Sequence, residues 1–224
     1  IKSITIPSEL IELKEGWCAF TSELTKITVS PKNPRYCLFE DKMIIGKTNI
    51  EEDNYDCLIF CVRDIKHIQI PNFIKHICSY SFENCYQLDE IIIPSDSKLE
   101  TIGKYAFSLS RIKSIIIPSS VKSIGEGSFL GCKQLEEIII PSDSKLQIIE
   151  KDAFSSSHIK RIIIPSSITS IGEGAFSGCK QLEEIIIPND TKLQMIEKDA
   201  FCSSTIKSIT IPSELIELKE GWCS

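Results

Sequence analysis

The sequence predicts a β-dominated solenoid, in which short coils stack in one direction and each adds a strand to a parallel sheet. Three observations predict it. A β-branched run closed by proline, Leu135-Glu136-Glu137-Ile138-Ile139-Ile140-Pro141, returns as Leu182 to Pro188 and Leu88 to Pro94. Looser copies run from Ile112 to Pro118, Ile159 to Pro165 and Ile206 to Pro212, and each reads as one strand with a hard stop. The closing prolines fall at 71, 94, 118, 141, 165, 188 and 212, alternately 23 and 24 residues apart, so the unit is a 47-residue pair. A fixed period in the twenties marks a solenoid. Finally, one coil offers six apolar anchors (Val121, Ile124, Phe129, Leu135, Ile138 and Ile140), too few to offset the ordering of its own backbone. Such a coil folds only against its neighbours.

Taken in order, residues 1–31 form an N-terminal coil with strands Ile4-Thr5-Ile6 and Ile27-Thr28-Val29, and Trp17 takes the place that Phe holds elsewhere. Residues 32–66 break the period. Their apolar runs Cys37-Leu38-Phe39, Met43-Ile44-Ile45 and Cys57 to Cys61 predict a β-hairpin-type insert that leaves and rejoins the solenoid. Residues 67–224 are the regular 23/24-residue repeats, and the whole of 1–224 reads as one solenoid domain. Asp96, Asp143 and Asp190 recur 47 residues apart, two past a strand-ending proline, and predict Asx turns onto the following backbone. A calcium ladder is the alternative, but the Gly-rich nonapeptide of such rolls is absent. Asn189-Asp190-Thr191 is a glycosylation sequon, of consequence for a secreted protein.

Of ten cysteines, Cys85, Cys132 and Cys179 share one place in the repeat, which suggests a small buried filler at a turn. No CxxC occurs, so structural thiols are the reading preferred over a disulfide framework. Residues 1–18 and 206–223 are identical, Ile-Lys-Ser-Ile-Thr-Ile-Pro-Ser-Glu-Leu-Ile-Glu-Leu-Lys-Glu-Gly-Trp-Cys. They lie 205 residues apart; less the 17 extra residues of the insert, that is four 47-residue units, so both copies have the same phase. With no start methionine at Ile1, the chain is expected to be a fragment or a processed form, a slice from a longer array. Uncapped ends then predict head-to-tail self-association.

The motif Cys-x-x-Leu-x-x-Ile-x-Ile-Pro, here Cys132 to Pro141, followed by Ile-Gly-x-x-(Ala/Ser)-Phe, here Ile171 to Phe176, resembles the BspA-like (TpLRR-type) leucine-rich repeat. The resemblance covers about residues 60–224 closely and 1–31 loosely, and Asn33-Pro34-Arg35-Tyr36 matches the Asn-x-x-Tyr of an insert found in that family. It implies an α/β-type leucine-rich-repeat solenoid with a parallel concave sheet, and with short strands, turns and one-turn helices on the convex side. It also implies a cell-surface or secreted protein, of the kind found in bacteria and parasitic protozoa and associated with binding host cells and matrix.

Function is bounded by what is missing. A net charge of −6 gives no basic footprint for nucleic acid, and the longest apolar runs are too short to insert in a membrane. His67, His76 and His158 are isolated from any second ligand at metal spacing, and no nucleophile elbow, P-loop or dinucleotide fingerprint occurs. The chain is therefore read as no enzyme, with no cofactor and no metal. What remains is a face. With Leu135, Ile138 and Ile140 inward, Glu137 and Ile139 point outward. The outward position reads Thr5, Thr28, Gln69, Ile92, Ile116, Ile139, Ile163, Ile186 and Thr210, beside a row containing Glu137, Arg161 and Glu184. Acids on one strand type and bases on the other predict cross-strand pairing. The isoleucines are read two ways, as β-propensity or as an interface. The leading reading is a non-catalytic scaffold binding a host surface or matrix protein through this strip. A self-assembly module and an intracellular scaffold are the alternatives, the latter favoured by unpaired cysteines.

Overall fold

A computed structural model describes residues 1–223; Ser224 lies outside the described residues. The chain begins with β1 (Ser3–Ile6) and β2 (Lys26–Val29), followed by β3 (Tyr36–Phe39), β4 (Met43–Gly46) and β5 (Cys57–Cys61). From there two kinds of strand alternate. The β-branched runs give β6 (His67–Gln69), β8 (Glu90–Ile92), β10 (Ser114–Ile116), β12 (Glu137–Ile139), β14 (Arg161–Ile163) and β16 (Glu184–Ile186). Between them lie two-residue strands: β7 (His76–Ile77), β9 (Thr101–Ile102), β11 (Ser123–Ile124), β13 (Ile148–Ile149), β15 (Ser170–Ile171), β17 (Met195–Ile196) and β18 (Glu217–Leu218).

The proline closing each run explains its length, since it removes a donor from the ladder and fixes φ. The runs pair in parallel as β1–β2, β6–β8 and β10–β12–β14–β16, while the two-residue strands join into one continuous sheet of ten that takes in β3, β4 and β5. Both sheets are parallel through the array because every coil repeats the same turns in the same direction. The core lies between them. One Ile from each side, such as Ile138 and Ile124, is buried with the Leu and Phe of the same coil.

At the corner, six phenylalanines stack. Phe82, Phe107, Phe129, Phe154, Phe176 and Phe201 lie 5.0 to 5.4 Å apart in sequence order, with ring planes within 17°. Each Phe N–H donates to a carbonyl one coil further on, as Phe129 does to Ala153 and Phe176 to Ala200. At the start of the β-branched runs the sense is reversed, Glu136 N–H donating to Lys113 and Lys160 N–H to Glu136, while at their ends Ile117 N–H donates forward to Ile139. Neighbouring coils are thus stitched in both directions.

Among the described residues there is no helix, so turns stand where one-turn helices were expected. Alternate amides are donated to the next coil (Tyr105 to Glu126, Phe107 to Ser128, Leu109 to Leu130), and left-handed residues at Tyr105 and Leu109 interrupt any helical run. Nor does Trp17 replace the core Phe. Phe201 N–H donates to Trp222 O, the bond that Phe176 makes to Ala200, which puts Trp222, and Trp17 with it, in the small-residue position. Cys18, fully buried, stands where Phe would be.

The segment after β2 extends the ten-stranded sheet. β3 and β4 pair antiparallel through a turn whose central residues, Glu40 and Asp41, both have positive φ, and β5 pairs antiparallel to β4 but parallel to β7. The Asn-x-x-Tyr motif ties this segment to the first coil. Asn33 Nδ2 donates to Pro7 O (2.6 Å) and Leu10 O (2.8 Å), its Oδ1 accepts from the Tyr36 amide, and Tyr36 OH accepts from the Leu13 amide. Arg63, buried over the Phe60 ring, donates to the carbonyls of Ser81, Tyr80 and Cys18 and ties the first coil to the array.

The Ile-Gly turn brings the backbones of neighbouring coils into close contact. A Cβ on Gly125 would lie 2.7 Å from the backbone N of Lys104 and 2.8 Å from the carbonyl carbon of Gly103, and backbone cannot give way as a side chain can. Gly125→Ala is therefore expected to lower stability by about 1–3 kcal/mol in denaturant unfolding. An unchanged midpoint would show that the coils are not in this contact.

Candidate partner-binding face

The outward face of the β-branched runs follows the alternation read from sequence. In β12, Glu137 and Ile139 are exposed while Ile138 is buried, and β8, β10 and β14 repeat the pattern. Ile92 is 46% exposed, Ile116 59%, Ile139 43% and Ile163 49%; Ile186 is half-buried. Ile116 is the register partner of Ile139, and Ile163 of Ile186. Ile92 sits on the separate β6–β8 pair, so the row crosses a break in the ladder between β8 and β10. Between β12 and β14 the face carries a shallow depression of about 420 Å³, lined by Glu136, Glu137, Ile139, Lys160, Arg161 and Ile163.

The charges beside the isoleucines pair across strands. Lys160 Nζ lies 2.6 Å from Glu136, Lys207 Nζ 2.7 Å from Glu183 and Lys113 Nζ 3.5 Å from Asp89. Arg161 is the register partner of both Glu137 and Glu184, and its Nε reaches Glu184 at 2.9 Å. The hydrogen bonds from Lys160 and Lys207 hold the Glu136 and Glu183 carboxyls below the usual carboxylate range. These pairs are solvated, and their geometry satisfies the charges within the sheet and leaves the apolar row as the uncompensated feature of the face.

The recurring Asp positions do not form Asx turns. Ser97, Ser144 and Thr191, each one residue later, accept from the amide two further on, at Leu99, Leu146 and Leu193. Asp96 and Asp190 instead accept from Asn72 and Ser166 of the preceding coil, at 2.7 and 2.8 Å. The hydroxyl lies nearer the buried side of the turn and takes the amide, leaving the carboxylate for the neighbouring coil. Among the described residues, no group of three or more His, Cys, Asp or Glu is arranged to hold a metal ion.

The repeat unit matches a known family. A model of the BspA type leucine-rich repeat region matches residues 54–169 and 100–222, in six copies. The chain belongs to the BspA-type leucine-rich-repeat family. Its fold is similar to that of a leucine-rich repeat protein from Eubacterium ventriosum, with a TM-score of 0.82 at 23% identity over 99% of this chain and 58% of that one. It is also similar to a leucine-rich cell surface protein from Faecalibacterium prausnitzii, with a TM-score of 0.62 at 25% identity over 92% of this chain and 46% of that one. A leucine-rich repeat protein from T. pallidum matches with a TM-score of 0.51 at 22% identity over 70% of this chain and 81% of that one. The chain spans about half the length of the first two of these structures. No curated protein matches it.

Sequence reasoning passed over one hollow in this BspA-type solenoid. Phe39, Tyr55, Phe73, Asp56, Lys75 and Lys98 line a depression of about 490 Å³ where the antiparallel strands meet the array. Phe39 meets Phe73 edge-on at 5.9 Å, and Lys47 lies over the Tyr55 ring. Phe39, Tyr55 and Asp56 come from an aperiodic segment and meet Phe73, Lys75 and Lys98 of the array, so no repeat position pointed to the hollow.

All ten cysteines are free. The recurring Cys132 and Cys179 are fully buried, and each thiol donates to a Phe carbonyl of the preceding coil at 3.1 Å. Burial pushes the Cys132 thiol up to about 12 and the Cys179 and Cys85 thiols up to about 11. The thiolate is the reactive form, so these three are expected to resist iodoacetamide in the native protein at about pH 8 while exposed Cys223 is labelled. Mass spectrometry of native and denatured samples checks this. Native labelling of Cys132 as fast as Cys223 would contradict its burial.

Proposed function

We propose that this chain is a non-catalytic interaction scaffold of a cell-surface or secreted protein, and that it binds a host surface or matrix protein through the outward isoleucine face. The observation that carries this reading is the row Ile92, Ile116, Ile139 and Ile163, 43 to 59% exposed at one position in four successive coils. Soluble proteins scatter exposed aliphatics singly, and a contiguous row marks an interface. Burying the exposed half of four isoleucines is worth on the order of 3–6 kcal/mol before the cost of association. Glu137, Arg161 and Glu184 beside the row give the contact a polar rim, as protein interfaces have.

Two further observations support the reading. Repeat scaffolds of this family are in general binding modules, and no group of three or more His, Cys, Asp or Glu is arranged to hold a metal ion among the described residues. The surface location draws on the similar protein from Faecalibacterium prausnitzii, described as a cell surface protein, at 25% identity. No helix among the described residues is long and apolar enough to cross a membrane, so this segment of a surface protein would be displayed rather than inserted.

Binding of labelled chain to epithelial cells and to purified matrix proteins, beside the variant Ile139→Glu with Ile163→Glu, tests the proposal. Both side chains are exposed, so the variant is expected to keep its circular dichroism spectrum and unfolding midpoint. Saturable binding weakened at least tenfold is expected, since two central apolar contacts become charges without partners. Binding that survives unchanged would move the contact to the aromatic hollow or the turns.

A further inference from the structure

The hollow where the antiparallel strands meet the array brings aromatic rings and charged groups together. β3 supplies Phe39, the stretch entering β5 supplies Tyr55 and Asp56, the turn between β6 and β7 supplies Phe73 and Lys75, and the next coil supplies Lys98. The rings are held in place by their neighbours. Phe39 and Phe73 brace each other edge-on at 5.9 Å, Tyr55 OH donates to the Cys37 sulfur, and Lys47 covers the Tyr55 ring from 5.3 Å. Phe73 is nonetheless 37% exposed, so apolar ring surface is left over in the hollow.

The charges around those rings already have partners. Asp56 is buried, and its Oδ1 accepts from the Thr48 amide and the Thr48 hydroxyl, each at 2.9 Å. Burial works to raise its carboxyl, but the Thr48 bonds outweigh it and hold the group below the usual carboxylate range. Its Oδ2 has Lys75 Nζ at 3.7 Å, near enough to pair the charges and too far for a hydrogen bond. Lys47 lies 4.0 Å from Asp53. A cationic ligand would find Tyr55 covered by Lys47 and Asp56 paired with Lys75, and an anionic one would be set against Asp56 and Asp53. The place left is for a neutral group that donates to Asp56 Oδ2 and accepts from Lys75 Nζ. A hydroxyl does both with one oxygen, and an oxygen about 2.8 Å from each closes the gap without moving either side chain.

We propose that this hollow is a saccharide site, in which a neutral hexopyranose unit lays a C–H face on Phe73 and Phe39 and sets a hydroxyl between Asp56 Oδ2 and Lys75 Nζ. A pyranose carries the pattern that the hollow accepts, apolar C–H faces bordered by hydroxyls that each donate and accept. Aromatic faces take C–H groups because the face is the negative side of the ring quadrupole. Asn54 and Lys98, both exposed at the rim, supply donors for neighbouring hydroxyls. The volume of about 490 Å³ has room for a short saccharide. The hollow shares no lining residue with the isoleucine face, so it is a second recognition site that stands apart from the first.

Titration of the isotope-labelled chain with methyl glucoside, methyl galactoside and N-acetylglucosamine, followed through the amide resonances of Thr48, Asp56 and Lys75, tests this. Saturable shifts are expected with at least one sugar, at a dissociation constant on the order of 1–10 mM for a site with few bonds. Phe73→Ala removes the exposed ring and Asp56→Asn removes the carboxylate, and each is expected to weaken binding about tenfold. Phe20→Ala removes an 81% exposed ring outside the hollow and is expected to change nothing. Phe73→Ala alone decides the matter if Asp56→Asn disturbs the loop that Thr48 closes. The neutral sugars are expected to bind more tightly than glucosamine or glucuronate. Titration with dextran, and with a glycoprotein before and after its glycans are removed, then tells a free polysaccharide from a protein-borne glycan as the source. No saturable shift with any of the neutral sugars up to about 100 mM would overturn the proposal. So would shifts that Phe73→Ala leaves unchanged, or a preference for either charged sugar.

Discussion

Stacking of one coil on the next, at a rise set by parallel strand pairing and by phenylalanine rings 5.0 to 5.4 Å apart, is the constraint on which everything else in this structure rests. Backbone bonds run both ways between coils: the amides of Glu136 and Lys160 reach back one coil, and those of the Phe residues and of Ile117 and Ile164 reach forward one coil. With both directions satisfied, a coil has few ways to slip in register against its neighbour. A one-residue slip in a β-branched run would turn Ile138 and Ile140 out and bring Ile139 in together with the charged Glu137, in every coil affected. The same constraint explains the glycine of the Ile-Gly turn, which gives the two backbones room to approach. It also explains why Cys132 and Cys179 donate their thiols to the coil before rather than to solvent.

Function grows out of regularity of this kind. A solenoid presents the same position of successive coils in a line, so a preference at one position becomes a stripe. Here alternate coils carry acid and base beside the stripe, and Glu136 with Lys160 and Glu183 with Lys207 close the charges within the sheet. The isoleucines have no such partner among the described residues. The break in the ladder between β8 and β10 gives the stripe a natural boundary, with Ile92 on one side and Ile116, Ile139 and Ile163 on the other.

Where the sequence repeats, its reading carried through to the structure. The strands, their proline stops, the inward and outward alternation and the pairing of Glu136 with Lys160 all stem from a period visible in 47-residue units. The turns were less legible, because their hydrogen bonds go between coils rather than along the chain. Asp96 looked like an Asx turn, yet the amide goes to Ser97 and the carboxylate to Asn72, a residue 24 positions away. Trp17 looked like a core Phe because both are large and aromatic, but the position is fixed by a backbone bond that no composition reveals. The hollow around Phe39, Tyr55 and Phe73 was invisible for a related reason: it joins an aperiodic segment to a periodic one. The isoleucine row was legible as a pattern, and its exposure reflects the absence of any described element packed over that face.

The central claim is that the coils form one cooperative stack. Native-state hydrogen exchange on Phe154→Leu tests it most directly, because that substitution removes one ring from the middle of the ladder. Coupled stacking predicts faster exchange at the amides of Phe129 and Phe176, one coil to either side, together with the amides of Glu136 and Glu183 that bond to the preceding coil. Exchange that changes only between residues 150 and 160 would show coils that open independently, and a stripe with no rigid support.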